Sequence, residues 1–187
     1  MSEEIFDIVD ENGIPTGKTV SRSEAHKDGI RHRTAHIWVA RKTTSGWDVL
    51  LQKRAMNKDS FPGRLDTSSS GHIQAGDEPL ESAIRELGEE LGIAAAPEQL
   101  QFAGLFKVDY AKEFHGKLFK DNEVAYVYVY LEPVDETTLV LQKEELDSVE
   151  WYDLEEVLGE CRAHNQKFCV PVKGLECAKN YLLTMKG

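Results

Sequence analysis

The sequence predicts a mixed α/β fold of the α+β kind, a mixed β-sheet with helices on its faces and a β-hairpin in front. Three observations predict it. Strand-like runs come in pairs around short turns, as in "HRTAHIWVARK", "TTSG" and "WDVLLQKRA". One long run, Glu78 to Leu91, repeats its apolar residues at the helical period, with Leu80, Ala83, Ile84, Leu87 and Leu91 on one side. The order of runs along the chain, strands, helix, strands, helix, then asks for a sheet covered by helices.

Taken in order, "EIFDIVDENGIPTGKTV" reads as a hairpin over about residues 4–20, turning at Glu11-Asn12-Gly13. "SRSEAHKDG" is a polar turn or short helix, and the pair of strands around "TTSG" follows. "MNKDSFPGRLDTSSSG" is rich in Ser, Gly and Pro and reads largely as loop. The helix over Glu78–Leu91 has Asp77 as its expected N-cap, Pro79 in its first turn and Gly92 just past its end. "QLQFAGLFKVDY" and "EVAYVYVYLEPV" read as strands joined by the polar "AKEFHGKLFKDN". "LDSVEWYDLEEVLGEC" is a short strand running into a helix, and "PVKGLECAKNYLLTMKG" a second amphipathic helix, the two helices lying within about residues 153–185. With no repeat and no dividing linker, residues 1–187 read as one domain.

A hydrophobic content of 41% and a charged content of 29% suit an ordinary globular chain. The formal net charge of -11 argues against binding nucleic acid or an anionic membrane, both of which need a basic surface. It leaves room for a small phosphorylated substrate, because local cations or a bound metal reverse the field inside one cleft. The start "MSEEIFDIVDENG" lacks the basic and apolar regions of a secretory signal, and no apolar run approaches the roughly eighteen residues of a membrane span. Cys161, Cys169 and Cys177 are odd in number and form no CxxC pair, so they read as reduced thiols on or near the C-terminal helices. A bacterial-type cytoplasm is the expected compartment. Either a monomer or a homodimer is compatible with the sequence.

The helix carries a puzzle. Glu86, Glu89 and Glu90 lie on its flank beside Arg85, near Glu81 and Asp77, although like charges four residues apart cost a few tenths of a kcal/mol per pair. A solvated acidic face would explain them. However, they cluster on one turn instead of alternating with lysines, and a Gly-bearing loop leads into the helix. Closely held oxygens are what Mg2+ or Mn2+ requires, and the cation would offset the repulsion.

Gly71, five residues, Asp77, seven residues, then Arg85-Glu86-Leu87-Gly88-Glu89-Glu90-Leu91-Gly92-Ile93 resembles the Nudix box, G-x5-E-x7-R-E-U-x-E-E-x-G-U with U apolar. The one departure is Asp77, where the family has Glu. The resemblance implies an α/β/α sandwich and hydrolysis of a nucleoside diphosphate linked to another group. It also implies that Glu86, Glu89 and Glu90 bind divalent ions, that Arg85 orients a carboxylate, and that Gly71 offers its carbonyl. A carboxylate, Glu86 or Glu89 or one from a later loop, would take the proton from the attacking water. Lys53, Arg54 and Arg64 are candidate phosphate contacts, and Trp38, Phe61, Tyr110 and Phe114 candidate stacking aromatics. "AKEFHGKLFKDN", with Phe114, His115 and Lys117, is a candidate specificity loop.

Beyond the box the chain is similar to the isopentenyl-diphosphate isomerase-like branch of that superfamily, through "GIPTG", "EAH", "RHRTAH", "QKRA", "FPGRLDTSSSGH", "DNEV" and "EWYDL". By that resemblance His26, His32, His72, Asp121 and Glu123 form a second candidate metal site, with Asp121 replacing a Glu. Imidazoles with carboxylates suit Mn2+ or Zn2+ better than Mg2+ alone. Against isomerase chemistry, Ser70 stands where the isomerase has its Cys, and a hydroxyl is far less acidic than a thiol. The intact carboxylate cluster favours a hydrolase of a small organic diphosphate. An isomerase-like enzyme and a non-catalytic diphosphate-binding module are the alternatives.

Overall fold

A computed structural model describes residues 3–185. Its elements follow the order expected. Strands β1 (Ile5–Val9) and β2 (Pro15–Ser21) pair as an antiparallel hairpin. Helix α1 (Arg22–Asp28) starts at Ser21, whose side chain accepts from the Glu24 amide, and stops at Gly29 in the left-handed conformation that glycine adopts at no steric cost. Strands β3 (His32–Lys42), β4 (Trp47–Arg54), β5 (Leu65–Asp66) and β6 (Ser69–His72) lead to helix α2 (Pro79–Leu91). Strands β7 (Leu100–Phe114), β8 (Lys117–Tyr130) and β9 (Leu146–Asp153) precede helices α3 (Leu154–Arg162) and α4 (Val172–Thr184).

β3 organises the main sheet. It runs parallel to β8 along its length and antiparallel to β6 in its first half and β4 in its second. β7 closes one edge beyond β8, while β4 also carries β5 and β9. Nine consecutive residues of β3, His32 to Ala40, are buried, as a strand covered on both faces must be. One face packs Trp38, Leu51, Val127 and Phe106 against Leu158 of α3 and Leu175 of α4. The other packs Ile37, Leu50 and Tyr128 against Ala83, Leu87 and Leu91 of α2. Two layers of helix thus sandwich a mixed sheet.

Three local expectations are corrected. The segment expected to join two strands is itself strand. β7 and β8 continue to Phe114 and Lys117 and turn through His115 and Gly116, both at positive φ (51° and 74°), as a two-residue hairpin demands. The Ser- and Gly-rich loop contains β5 and β6, held by pairing with β4 and β3. The N-cap of α2 is Glu78, one residue beyond Asp77, because Pro79, which has no amide to donate, occupies the first turn.

Candidate active site

The sheet brings its polar residues to one cleft of about 870 Å³. Two centres line it. The first is built on α2. Arg85 Nη1 lies 2.8 Å from Glu86 Oε1 and 3.3 Å from Glu89 Oε2, and Nη2 donates to the His72 carbonyl (3.3 Å). The guanidinium thus ties two carboxylates of the helix to β6. The Glu86 carboxylate lies directly over Gly71, where any Cβ would overlap it, so only glycine fits there.

Glu90, which the helical period puts on the flank beside Arg85, is buried. It is only 4% exposed, and its Oε2 accepts from Gln52 Nε2 and from the Ser70 amide, each at 3.2 Å. Periodicity placed it beside Arg85, but α2 leans on β6, which covers that turn. Among the described residues no lysine or arginine pairs with it. Burial pushes Glu90 up to about 8 and Glu86 up to about 7, the latter against the pull of Arg85. Carboxylates this reluctant to ionise fit a site that a divalent cation completes.

The second centre gathers residues far apart in sequence. α1 carries His26, β3 carries His32, β6 carries His72, and β8 carries Asp121 and Glu123. The register sets His32 beside Glu123 and Thr34 beside His72, and alternation along the strands turns them to one face. His26 Nε2 and His72 Nε2 are 3.2 Å apart, close to the separation of two nitrogens each roughly 2.0–2.1 Å from one ion. His32 Nδ1 donates to the Ile30 carbonyl (2.9 Å), which leaves the Nε2 lone pair facing Glu123 Oε1 at 3.7 Å. His32 Nε2 and Asp121 Oδ1 are buried without hydrogen-bond partners among the described residues. Three imidazoles and two carboxylates, gathered as two groups that share His32 and with orphaned buried atoms among them, fit a cation. Burial and the adjacent Glu123 push Asp121 up to about 9. Burial opposes the shift of Glu123, but the surrounding imidazoles of His72, His32 and His36 hold it well below the carboxylate range. Phe6 of the hairpin stacks on both His32 and His72 (centroids 4.9 and 4.6 Å).

Of the three expected phosphate contacts, only Arg54 lines the cleft, and it is tied to Asp66 (3.0 Å) and the Ser60 carbonyl (3.1 Å). Lys53 lies outside it, and Arg64 borders a separate, smaller cavity. Sequence reasoning missed Lys58 and Arg22, which do line it, paired with Glu145 and Glu4. Alternation along β4 signals the difference, since Lys53 faces opposite to Gln52 and Arg54. Trp38 is wholly buried in the core. Phe61, Tyr110 and Phe114 do come together, Phe61 packing on Phe114 at 4.8 Å and Tyr110 at 6.2 Å. Cys169 also reaches the cleft, but its thiol donates to the Leu65 carbonyl (3.4 Å) and burial pushes its pKa far up.

A model of the NUDIX domain matches residues 30–169, most of the chain. The chain belongs to the Nudix family. Its curated relatives carry the same name. It is 41% identical over 158 residues to Nudix hydrolase 3 of Arabidopsis thaliana, covering 83% of this chain but only 20% of that longer protein. It is 36% identical over 157 residues to an uncharacterized Nudix hydrolase of Clostridium acetobutylicum, covering 84% and 73%. Among solved structures, DR0079 of Deinococcus radiodurans shares the fold with a TM-score of 0.63 at 19% identity, covering 86% and 90% of the two chains. This Nudix chain thus falls among pyrophosphohydrolases, enzymes that cleave diphosphate linkages.

Proposed function

We propose that this Nudix hydrolase cleaves the P–O–P linkage of a nucleoside diphosphate joined to another group, or of a related organic diphosphate, with Mg2+ or Mn2+ as cofactor. Glu90 carries the reading. It is a buried carboxylate beside Glu86 and the bare face of Gly71, with no ion pair to a lysine or arginine among the described residues. A buried charge left unpaired is costly, and the acidic cluster gives a divalent ion its oxygen ligands. Glu86, Glu89, Glu90 and the Gly71 carbonyl would hold it. His26, His32, His72, Asp121 and Glu123 would hold a second divalent ion. Such ions supply charge for the diphosphate oxygens and acidify water.

The chain's own residues then divide the work. Arg85 keeps Glu86 and Glu89 oriented. Lys58 and Arg22 meet phosphate oxygens at the mouth, exchanging Glu145 and Glu4 for the substrate. Water attacks phosphorus in line, and Glu86, Glu89 or the cleft-lining Glu144 of a later loop takes its proton. One water is added and two phosphorylated fragments leave.

The test is phosphate release, coupled to a phosphatase, from nucleoside di- and triphosphates, nucleotide sugars, dinucleoside polyphosphates and isopentenyl diphosphate. Each is run with Mg2+ or Mn2+, for the wild type and Glu89→Gln. The expected result is metal-dependent turnover of some member that falls by about two orders of magnitude or more in the variant. No turnover of any member would overturn the reading.

A further inference from the structure

We propose that His36 is a substrate-binding residue, an imidazole on the cleft floor that donates a hydrogen bond to an oxygen of the bound diphosphate. This rests on the diphosphate reading above and adds to it a contact that no acidic or basic side chain provides.

The strand register places it. On β3, Thr34 faces His72 across the β6 pairing and donates to Glu123 Oε2 (3.0 Å), so it marks the histidine centre. Two residues on, His36 faces Ser70, whose amide donates to Glu90, so it stands at the carboxylate centre. Alternation keeps both side chains on one face. His36 therefore lies one pleat beyond Thr34 on the same face of β3, and its ring borders the same cleft.

The ring is 8% exposed and set edge-on to Phe106 (5.2 Å, 86°), which fixes its plane. Its Nδ1 is sealed from solvent and has no partner among the described residues. Buried imidazole nitrogens are ordinarily hydrogen-bonded, and a histidine serving only to pack would be replaceable by an apolar ring. Because Nδ1 is sealed, the part of the ring that meets the cavity is the opposite edge, which carries Nε2. Burial holds the pKa of His36 below its ordinary value, so the ring is uncharged at neutral pH. With its proton on Nε2 it offers the cavity one donor and adds no charge beside the two metal-binding centres. Lysine or arginine there would compete with the cations for the same carboxylates.

The experiment uses the whole chain with Mg2+ and imidodiphosphate as the probe. In the wild type, nitrogen NMR of the histidine side chains is expected to show the His36 Nε2 resonance moving on saturation. By calorimetry, His36→Phe is expected to weaken binding about tenfold, the size of one hydrogen bond to a charged group. His36→Gln, which returns a donor near Nε2, is expected to recover most of that loss, with melting temperatures confirming that both variants fold. An unmoved His36 resonance in a protein that binds the probe, or equal affinity in His36→Phe, overturns the assignment and leaves the hydrolase reading standing. Failure of the wild type to bind imidodiphosphate overturns both.

Discussion

At the scale of single residues, the site depends on contacts too close to admit change. Gly71 is the clearest case. Any side chain there meets the Glu86 carboxylate, and Glu86 cannot yield without breaking from Arg85. Gly71→Ala is therefore expected to abolish high-affinity Mn2+ binding at the carboxylate centre, read by electron paramagnetic resonance of the free ion. Hydrolysis should fall by about two orders of magnitude or more, as when an oriented catalytic carboxylate is lost. Intact Mn2+ affinity in Gly71→Ala would show that Glu86 is not held as described. The same scale shows how far the sequence could be read. Gly71, Arg85, Glu86 and Glu89 were legible because they sit at fixed spacings on one helix and the strand that leads to it. Lys58 was not, because nothing local distinguishes a lysine on a cleft lip from one on a solvated loop.

Among elements, the N-terminal hairpin has more than an edge role. It delivers Phe6 against both His32 and His72, its Asp7 pairs with Arg33 at 3.0 Å, and its Ile5 carbonyl accepts from the Ala75 amide at 2.8 Å. Phe6→Ala removes a fully buried ring and should cost about 3–5 kcal/mol, lowering Tm by ~10 °C in a thermal melt. The β7–β8 hairpin acts differently, since its tip holds Phe114 against Phe61 at the cleft mouth. Replacing Glu113–Leu118 by Asn-Gly keeps the Lys112–Phe119 register and the turn type. That variant should shift relative kcat/KM between small and large substrates while changing Tm little. Unaltered preference across the substrate panel would remove the hairpin from specificity.

For the whole molecule, the relation between acidity and stability is the main consequence of the fold. Glu86 and Glu90 have folded-state pKa values of about 7 and about 8, above the ordinary 4.5. Between pH 4.5 and 8 these two groups keep more protons in the folded protein than in the unfolded chain. Above about pH 6.5 the depressed His26, His36 and His72 are neutral in both states, so stability falls there as pH rises. Melts of metal-free protein should give a Tm that drops from about pH 7 to pH 9. Added Mg2+ should flatten the drop, because an ion that binds only the folded state stabilises it. A metal-free Tm that rises over this range would contradict the burial of the two carboxylates.

The sequence by itself determined most of the strand and helix runs, the Gly92 end of α2 and the carboxylate cluster, since these depend on periodicity and on residues within a turn or two of one another. Only the tertiary structure decided that Glu90 is buried, that His115-Gly116 is a turn within one long hairpin, and that Cys169 reaches the cleft while Lys53 and Arg64 do not. It also gathered His26, His32 and His72, and His32, Asp121 and Glu123, into two clusters that share His32, and set His36 opposite Ser70. The reason is physical. Local spacing fixes which face of an element a residue occupies, whereas the register between strands distant in sequence fixes what that face meets.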